Sequence, residues 1–283
     1  MLVGDSRLTF WEAGHPIMSS EQRIFATLRE GRIWAVAAIH GQADRLAALH
    51  RHLAQAFQPG DQLVYLGNYS GHGLAVRDCI DELLVFRRTL LAKPGVDCGD
   101  VVFLRGAQEE MWQKLLQLQF APNPVQVLQW MVGQGIEPTI EAYGATVEEA
   151  ILAARDGTLS LTRWTSQLRQ NLRSYDGHNA LMSVLRHAAF TTQSSALFVH
   201  AGIDPQRPLS AQSDSFWWGA AGFDALNEPY AGYQRVIRGF DRRHPGLVES
   251  PFSVTLDGGC GFGGTLLAGL FGPGGHLITS IEV

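Results

Sequence analysis

Three short runs in the first 110 residues are apolar almost throughout: RIWAVAAI at 32–39, QLVYLG at 62–67 and VVFLR at 101–105. A strand with one wet face alternates polar and apolar side chains, so continuous apolar runs of this length predict strands buried on both faces. Between the first two, Leu46, Leu49, Leu53 and Phe57 recur at helical spacing, which predicts an amphipathic helix. Residues 74–92 predict a second helix, ended by the Lys-Pro-Gly at 93–95. Strand, helix, strand, helix, strand with short turns is the pattern of a parallel sheet with crossover helices. The stretch 107–190 reads as mostly helical, with loops at 122–124, 133–138 and 156–157, and returns to a strand at ALFVH, 196–200. Beyond about residue 234 the runs RVIRG, FSVTLD, GTLLAGLF and HLITSIEV are separated by Gly and Pro. They predict strands of a second sheet. The expectation is an α/β chain of two packed sheets with helices outside, in which 1–31 form an N-terminal extension and 32–283 a single domain.

Composition narrows the function classes. Hydrophobic residues make up 46 % of the 283 residues, charged residues 17 %, and the formal net charge is −5. That balance fits a globular chain rather than a disordered one, and the absence of a basic block argues against a nucleic-acid partner. No run of about 18 apolar residues suggests a membrane span. The start, MLVGDSRLTFWEAGHP, carries no apolar core of signal-peptide length, so a cytoplasmic location is expected. Three cysteines, Cys79, Cys98 and Cys260, without a CxxC spacing argue against a disulfide framework or a cysteine zinc site and are read as buried thiols.

Each strand runs into a glycine-containing turn: AAIHG (37–41), LGNYSGHG (66–73), LRGAQEE (104–110), VHAG (199–202) and IRGF (237–240). In open α/β sheets, ligands bind outside the carboxyl ends of the strands. In order and in flanking sequence these turns resemble those of the calcineurin-like metallophosphoesterases, on the bacterial serine/threonine protein phosphatase-like branch. There they read GDxHG, GDxxDRG, GNHE, HAG and GH. The flanks VVFLRGAQEEM, LFVHAGIDPQRPLSAQ and VTLDGGCGFGGTLLAG are similar to the family's as well, and the resemblance runs from about Arg32 to Val283. It implies a two-sheet metallophosphoesterase sandwich flanked by helices.

The same resemblance implies a dismantled site. Where the family's first motif gives one metal an Asp and a His, this chain has Ala38 and His40. The Asp that bridges both metals is Asn68, and the later Asp and Arg that meet the phosphate correspond to Gly71 and His72. The Asn ligand and the general-acid His of the third motif correspond to Ala107 and Gln108. His200 is kept in the fourth, and the His of the fifth is Phe240. Two dications about 4 Å apart repel each other and need bridging carboxylate charge. Asn68 supplies none, the alanines and Phe240 have no ligand atom, and Gln108 cannot protonate a leaving alkoxide as a His can. His40 and His200 remain as remnant ligands. The expectation is therefore a chain that is not an enzyme: a pseudophosphatase with no catalytic residue, no bound metal and no cofactor. Such a chain would serve as a scaffold, a structural or regulatory subunit working through protein contacts. Two alternatives stand beside it. One is a serine/threonine-type phosphoesterase with an altered site, metal-dependent with one metal or metal-free, using His40, His72 and His200; the other is a sensor that binds a phosphorylated ligand without cleaving it.

Other residues have plainer readings. Glu109 and Glu110 stand at a helix start, where carboxylates favour the helix dipole. Asp204 and Asp257 read as turn residues, and His50 and His52 as part of a solvated helix face. Trp217 and Trp218 read first as core, and are the candidates for a partner-binding surface. The glycines at 258–264 precede a strand and read as tight β turns rather than a phosphate cradle.

Overall fold

The first strand met along the chain, β1 (Phe25–Leu28), lies inside the segment read as an extension and pairs in parallel with β5 (Ala188–Thr191). The computed structural model describes residues 24–283, so the N-terminal sequence read for targeting signals lies outside the described residues.

The three apolar runs form β2 (Ile33–Val36), β3 (Gln62–Tyr65) and β4 (Val101–Phe103), all parallel and buried at every position. The crossovers are α1 (Ala43–Ala56) and α2 (Val76–Leu91). Leu46, Leu49 and Leu53 of the first and Ile80, Leu83 and Leu90 of the second turn onto the sheet as the periodicity predicts. The far edge of β2 is taken by β10 (Leu267–Phe271), antiparallel to it, followed by β11 (Leu277–Glu282). The first sheet thus runs β11-β10-β2-β3-β4. This corrects the assignment of GTLLAGLF and HLITSIEV to a second sheet, while RVIRG and FSVTLD do lie in one. A strand buried on both faces needs a neighbour on each edge, and the fully buried β10 supplies it to β2.

The second sheet runs β1-β5-β6-β7-β9-β8, with β6 (Ala196–Val199), β7 (Arg235–Arg238), β8 (Gly246–Glu249) and β9 (Ser253–Asp257). The two sheets enclose one core, in which Phe198 of β6 meets Phe271 of β10 at 5.9 Å between ring centres.

Between β4 and β5 lies a helical layer: α3 (Ala107–Leu115), α4 (Pro124–Gly133), α5 (Glu137–Ala142), α6 (Val147–Asp156), α7 (Thr158–Ser174) and α8 (His178–Val184). Its starts are legible in the sequence. Asn123 Oδ1 accepts the Gln126 N–H ahead of Pro124, and Thr146 and Glu149 form a reciprocal capping box. The layer has its own core around Met111, Trp112, Leu128, Ile140 and Leu168. A last one-turn helix, α9 (Ser215–Trp218), follows β6. None of the helices among the described residues is long and apolar enough to cross a membrane.

Two expectations about single residues need correcting. His50 is buried, not solvated: its ring lies on Phe86 at 3.9 Å, Nδ1 meets Glu82 at 2.6 Å and Nε2 meets the Tyr65 hydroxyl at 2.8 Å. Cys98 is exposed, while Cys79 and Cys260 are buried.

Candidate functional site

The five turns come together at one end of the sandwich and are stitched by backbone hydrogen bonds. The His40 N–H donates to Asn68 O at 2.7 Å, the Ala38 N–H to Gly239 O at 3.0 Å, and the Phe240 N–H to His200 O at 3.0 Å. The approach is close enough to demand glycine: a Cβ on Gly106 would lie 2.2 Å from the Asn68 nitrogen. Six described non-glycine residues adopt positive φ, and four of them are here: His40 (52°), Asn68 (55°), His72 (50°) and His244 (48°). Left-handed backbone at such density is a mark of functional turns.

The turns surround a cavity of about 230 Å³. Of the residues expected at the site, His40, Asn68, His72, Ala107, Gln108 and Phe240 line it. Ala38 is buried in the stitching below. His200 is also buried, its ring stacked on Phe240 at 5.4 Å and 6°. Sequence reasoning missed Arg242, His244, Phe262, Gln134 and Gly133, which complete the wall with Trp218. A signal existed for His244, a histidine four residues beyond the expected position in the same loop. Phe262 comes from the glycine turn read as purely structural. It packs on His72 at 4.4 Å and on His244 at 4.3 Å.

Among the described residues no carboxylate lines this cavity; the acids stand one layer back. Glu109 is buried and accepts the N–H groups of Asn68 (2.8 Å), Tyr69 (2.9 Å), Ser70 (3.3 Å) and Gly106 (3.0 Å), and the Ser70 hydroxyl at 3.1 Å. Burial pushes its carboxyl above the usual range, against the pull of those donors. It does more than the helix-start role expected of it, because it fixes the turn that carries Asn68. Asp257, read as a turn residue, is likewise buried. Its carboxylate accepts the Asp241 N–H at 2.8 Å and the Gly259 N–H at 3.0 Å, and holds His244 Nδ1 at 2.9 Å.

Donor and acceptor directions follow from the network. Gln108 N–H donates to Asn68 Oδ1 at 2.9 Å, so the Asn68 amide turns its Nδ2 hydrogens toward His40 Nε2, 3.3 Å away. His200 Nδ1–H donates to Leu66 O at 2.7 Å, leaving Nε2 as an unpaired acceptor. Gln108 Oε1 is also buried without a hydrogen-bond partner among the described residues. Burial brings His200 down to about 4, and lowers His40 well below the ordinary imidazole range, with the neighbouring histidines adding to the effect. Burial lowers His72 as well, helped by the neighbouring His244 imidazole. The imidazoles of His40, His72 and His200 are therefore neutral at pH 7.

The metal pair that the resemblance implies does not fit these side chains. The bridging position presents amide hydrogens to His40 where a cation would need oxygen lone pairs, and His200 is fully buried with its ring stacked on Phe240. Among the described residues, no three His, Cys, Asp or Glu side chains converge as a ligand set.

Trp217 and Trp218 separate. Trp217 is 4 % exposed and packs with Phe216 and His187, which corrects its placing at a partner surface. Trp218 reaches the cavity rim, where it meets Trp130 at 5.3 Å and the Arg242 guanidinium at 6.0 Å.

Comparison with known proteins gives the fold its name. No protein-family model and no curated protein sequence matches the chain. Among solved structures, a protein provisionally assigned as a diadenosine tetraphosphatase aligns with a TM-score of 0.50 and 23 % identity, over 92 % of this chain and 97 % of its own. The cold-active protein-tyrosine phosphatase of a psychrophilic Shewanella species aligns with a TM-score of 0.50 and 14 % identity, over 94 % and 85 %. A metallophosphoesterase from Sphaerobacter thermophilus aligns more loosely, with a TM-score of 0.44 and 15 % identity over 89 % and 88 %. The chain has the calcineurin-like metallophosphoesterase fold, as the turns implied. The expectation that it is not an enzyme is corrected: the solved structures that share its fold at a TM-score of 0.50 are named as a diadenosine tetraphosphatase and protein-tyrosine phosphatases. Changed metal positions remove one hydrolytic arrangement, not every one that such a cavity can hold.

Proposed function

We propose that this chain takes a phosphate ester directly into the imidazole-lined cavity, as a phosphoesterase with altered site chemistry. The observation that carries this reading is the polarity of the lining. Three histidines, Arg242, Asn68 and two glutamines line the space, and among the described residues no carboxylate does. A metal-bridged site brings cations to an acidic lining; here the protein's own donors and one guanidinium face the ligand instead. Arg242 has no ion-pair partner among the described residues, whereas Arg243 and Arg238 are both held by Asp241 and Asp224. A guanidinium free of carboxylates suits a phosphoryl group, which it can grip at two oxygens. Gln108 Oε1, buried and unpaired, offers an acceptor for a ligand hydroxyl. The neighbours' names, a tetraphosphatase and a tyrosine phosphatase, share only the phosphoryl group, and that is the class proposed here.

The test is calorimetry with p-nitrophenyl phosphate and with sulfate. Both are expected to bind, and Arg242→Gln to weaken binding about 10- to 100-fold, the worth of a charge-assisted hydrogen bond of about 1.5–3 kcal/mol. No saturable heat with either anion sinks the reading.

A second reading, a subunit that works through protein contacts, draws support from the apolar side chains the helical layer leaves exposed: Phe120, Leu152, Leu159 and Trp130. Scattered apolar residues are also common on monomers. A purified chain that stays monomeric, and whose native complexes are unchanged by Phe120→Ser and Leu159→Ser, removes this reading.

A further inference from the structure

Four imidazoles surround Phe240 and Phe262, and they are not equivalent. His40 is buried and its Nε2 faces the Asn68 amide. His200 is sealed behind Phe240. His72 reaches the cavity, but no carboxylate stands behind it among the described residues. His244 alone is both reachable, with 21 % of its side chain exposed, and oriented by a buried acid.

That acid is itself fixed. The two backbone N–H groups from Asp241 and Gly259 hold the Asp257 carboxylate in place, and Asp241 is pinned in turn by the guanidinium groups of Arg238 and Arg243. With Nδ1–H committed to Asp257, the ring nitrogen left for the cavity is Nε2, as a lone pair. The ring is stacked on Phe262, sits edge-on to Phe240, and lies two residues from Arg242. A carboxylate that sets the tautomer of a cavity-facing imidazole and balances charge developing on it is the arrangement that activates a histidine toward an electrophile. A loop histidine serving only as a turn pin would need neither the exposure nor the left-handed backbone that His244 carries.

We infer that His244 is the phosphoryl acceptor of this cavity and Asp257 its positioning residue. The inference rests on the reading of the cavity as a phosphate-ester site. In the step, the Nε2 lone pair attacks phosphorus, and the N–P bond forms as the ester P–O bond breaks. The leaving oxygen departs with that electron pair, as an aryl oxyanion or after taking a proton from water. The positive charge on the ring is balanced by Asp257 through Nδ1–H, while Arg242 faces the phosphoryl oxygens. Water then attacks phosphorus, the N–P bond breaks, its electron pair returns to Nε2, and the proton of the water passes to solvent.

The experiment mixes the full chain with radiolabelled p-nitrophenyl phosphate and quenches it in alkali, where a phosphohistidine survives and a phosphoserine does not. The expected result is a label that resists alkali, is lost in mild acid and maps to the peptide carrying His244. It should be absent in His244→Asn and formed about 10- to 100-fold more slowly in Asp257→Asn. The exposed His52→Asn of α1 should label as the unaltered chain does. Sulfate binding, measured in parallel, separates the two claims. Binding without an alkali-stable label in the unaltered chain overturns the role of His244, and so does a label that persists in His244→Asn. Absence of binding overturns the reading of the cavity itself. Because the unaltered chain alone can refute the inference, a variant that fails to fold does not protect it.

Discussion

The turn at 66–73 has two sides, and they are treated in opposite ways. On its inner side, the Glu109 carboxylate receives five hydrogen bonds, four from backbone and one from Ser70. On its cavity side, Gln108 Oε1 has no hydrogen-bond partner among the described residues. The acids that a two-metal site displays in its lining are here behind it, at Glu109 and Asp257, where they orient donors rather than hold cations. The inner side is closed and carries stability; the outer side is left open for a ligand to complete. Buried polar groups are costly when unpaired, so the contrast supports the proposal that a ligand completes the outer side.

The largest expected effect breaks the inner side. Glu109→Ala leaves several buried N–H groups without an acceptor and should lower unfolding stability by about 3–5 kcal/mol, read from denaturant midpoints. A loss under about 1 kcal/mol would show that the turn does not depend on this carboxylate.

Acid should expose the cost of the buried imidazoles. His200 has a folded value of about 4, below the ordinary 6.5. Between those values the unfolded chain binds the extra proton, so this stability is complete above pH 6.5 and is lost as pH falls toward 4. A shift of this size corresponds to roughly 3 kcal/mol. His187, also brought to about 4 by burial and by Arg105, acts in the same direction. Unfolding curves from pH 7.5 to 4 should fall steeply, and less steeply in His200→Gln; a flat profile contradicts the assignment.

A smaller effect sharpens the outer side alone. Gly135 has a φ of 86°, and a Cβ there would lie 2.3 Å from the His72 ring. Gly135→Ala should cost about 1–2 kcal/mol of backbone strain and push His72 out of the cavity, weakening sulfate binding about 10-fold. Unchanged binding would mean that His72 does not face the ligand.

The smallest expected effect is electrostatic. His72 titrates below 6.5 because burial and His244 disfavour its charge, so it is neutral at pH 7.5 and gains a proton as pH falls. Sulfate keeps its charge there, and its affinity should rise severalfold as pH falls below 6.5. His72→Asn should abolish the rise; a rise that survives in that variant assigns it to another group.

Legibility in the sequence followed the range of the interaction. The strands β2, β3 and β4 and the helices α1 and α2 were readable because burial on both faces or on one stripe is a local pattern. The ordered turns brought His40, Asn68, His72, Gln108 and Phe240 to one place as expected. The short β5 and the exposed edge strand β8 carry little local signal: one begins Ala-Ala, and the other is mostly solvent-facing. The pairing of β10 with β2 joins residues more than 230 positions apart, which no periodicity encodes. Asn68 could be recognised as a replaced ligand, but the direction of its amide is decided by the Gln108 N–H. Trp217 and Trp218 are neighbours with the same composition signal, and only the single turn of α9 sends one inward and the other to the rim. His244 escaped because its partner, Asp257, is 13 residues away on the end of another strand.

The left-handed backbone at His40, Asn68, His72 and His244 has a consequence for how this chain can change. Histidine and asparagine tolerate that region better than most side chains, but glycine occupies it freely. At each of these four positions a change to glycine relieves backbone strain and also deletes a side chain that faces the cavity. Selection for thermal stability alone therefore pulls the site toward glycine, and selection for ligand chemistry pulls it back. A library screened only for heat resistance is expected to enrich glycine at 40, 68, 72 and 244, erasing the cavity lining while the sandwich beneath it stays intact.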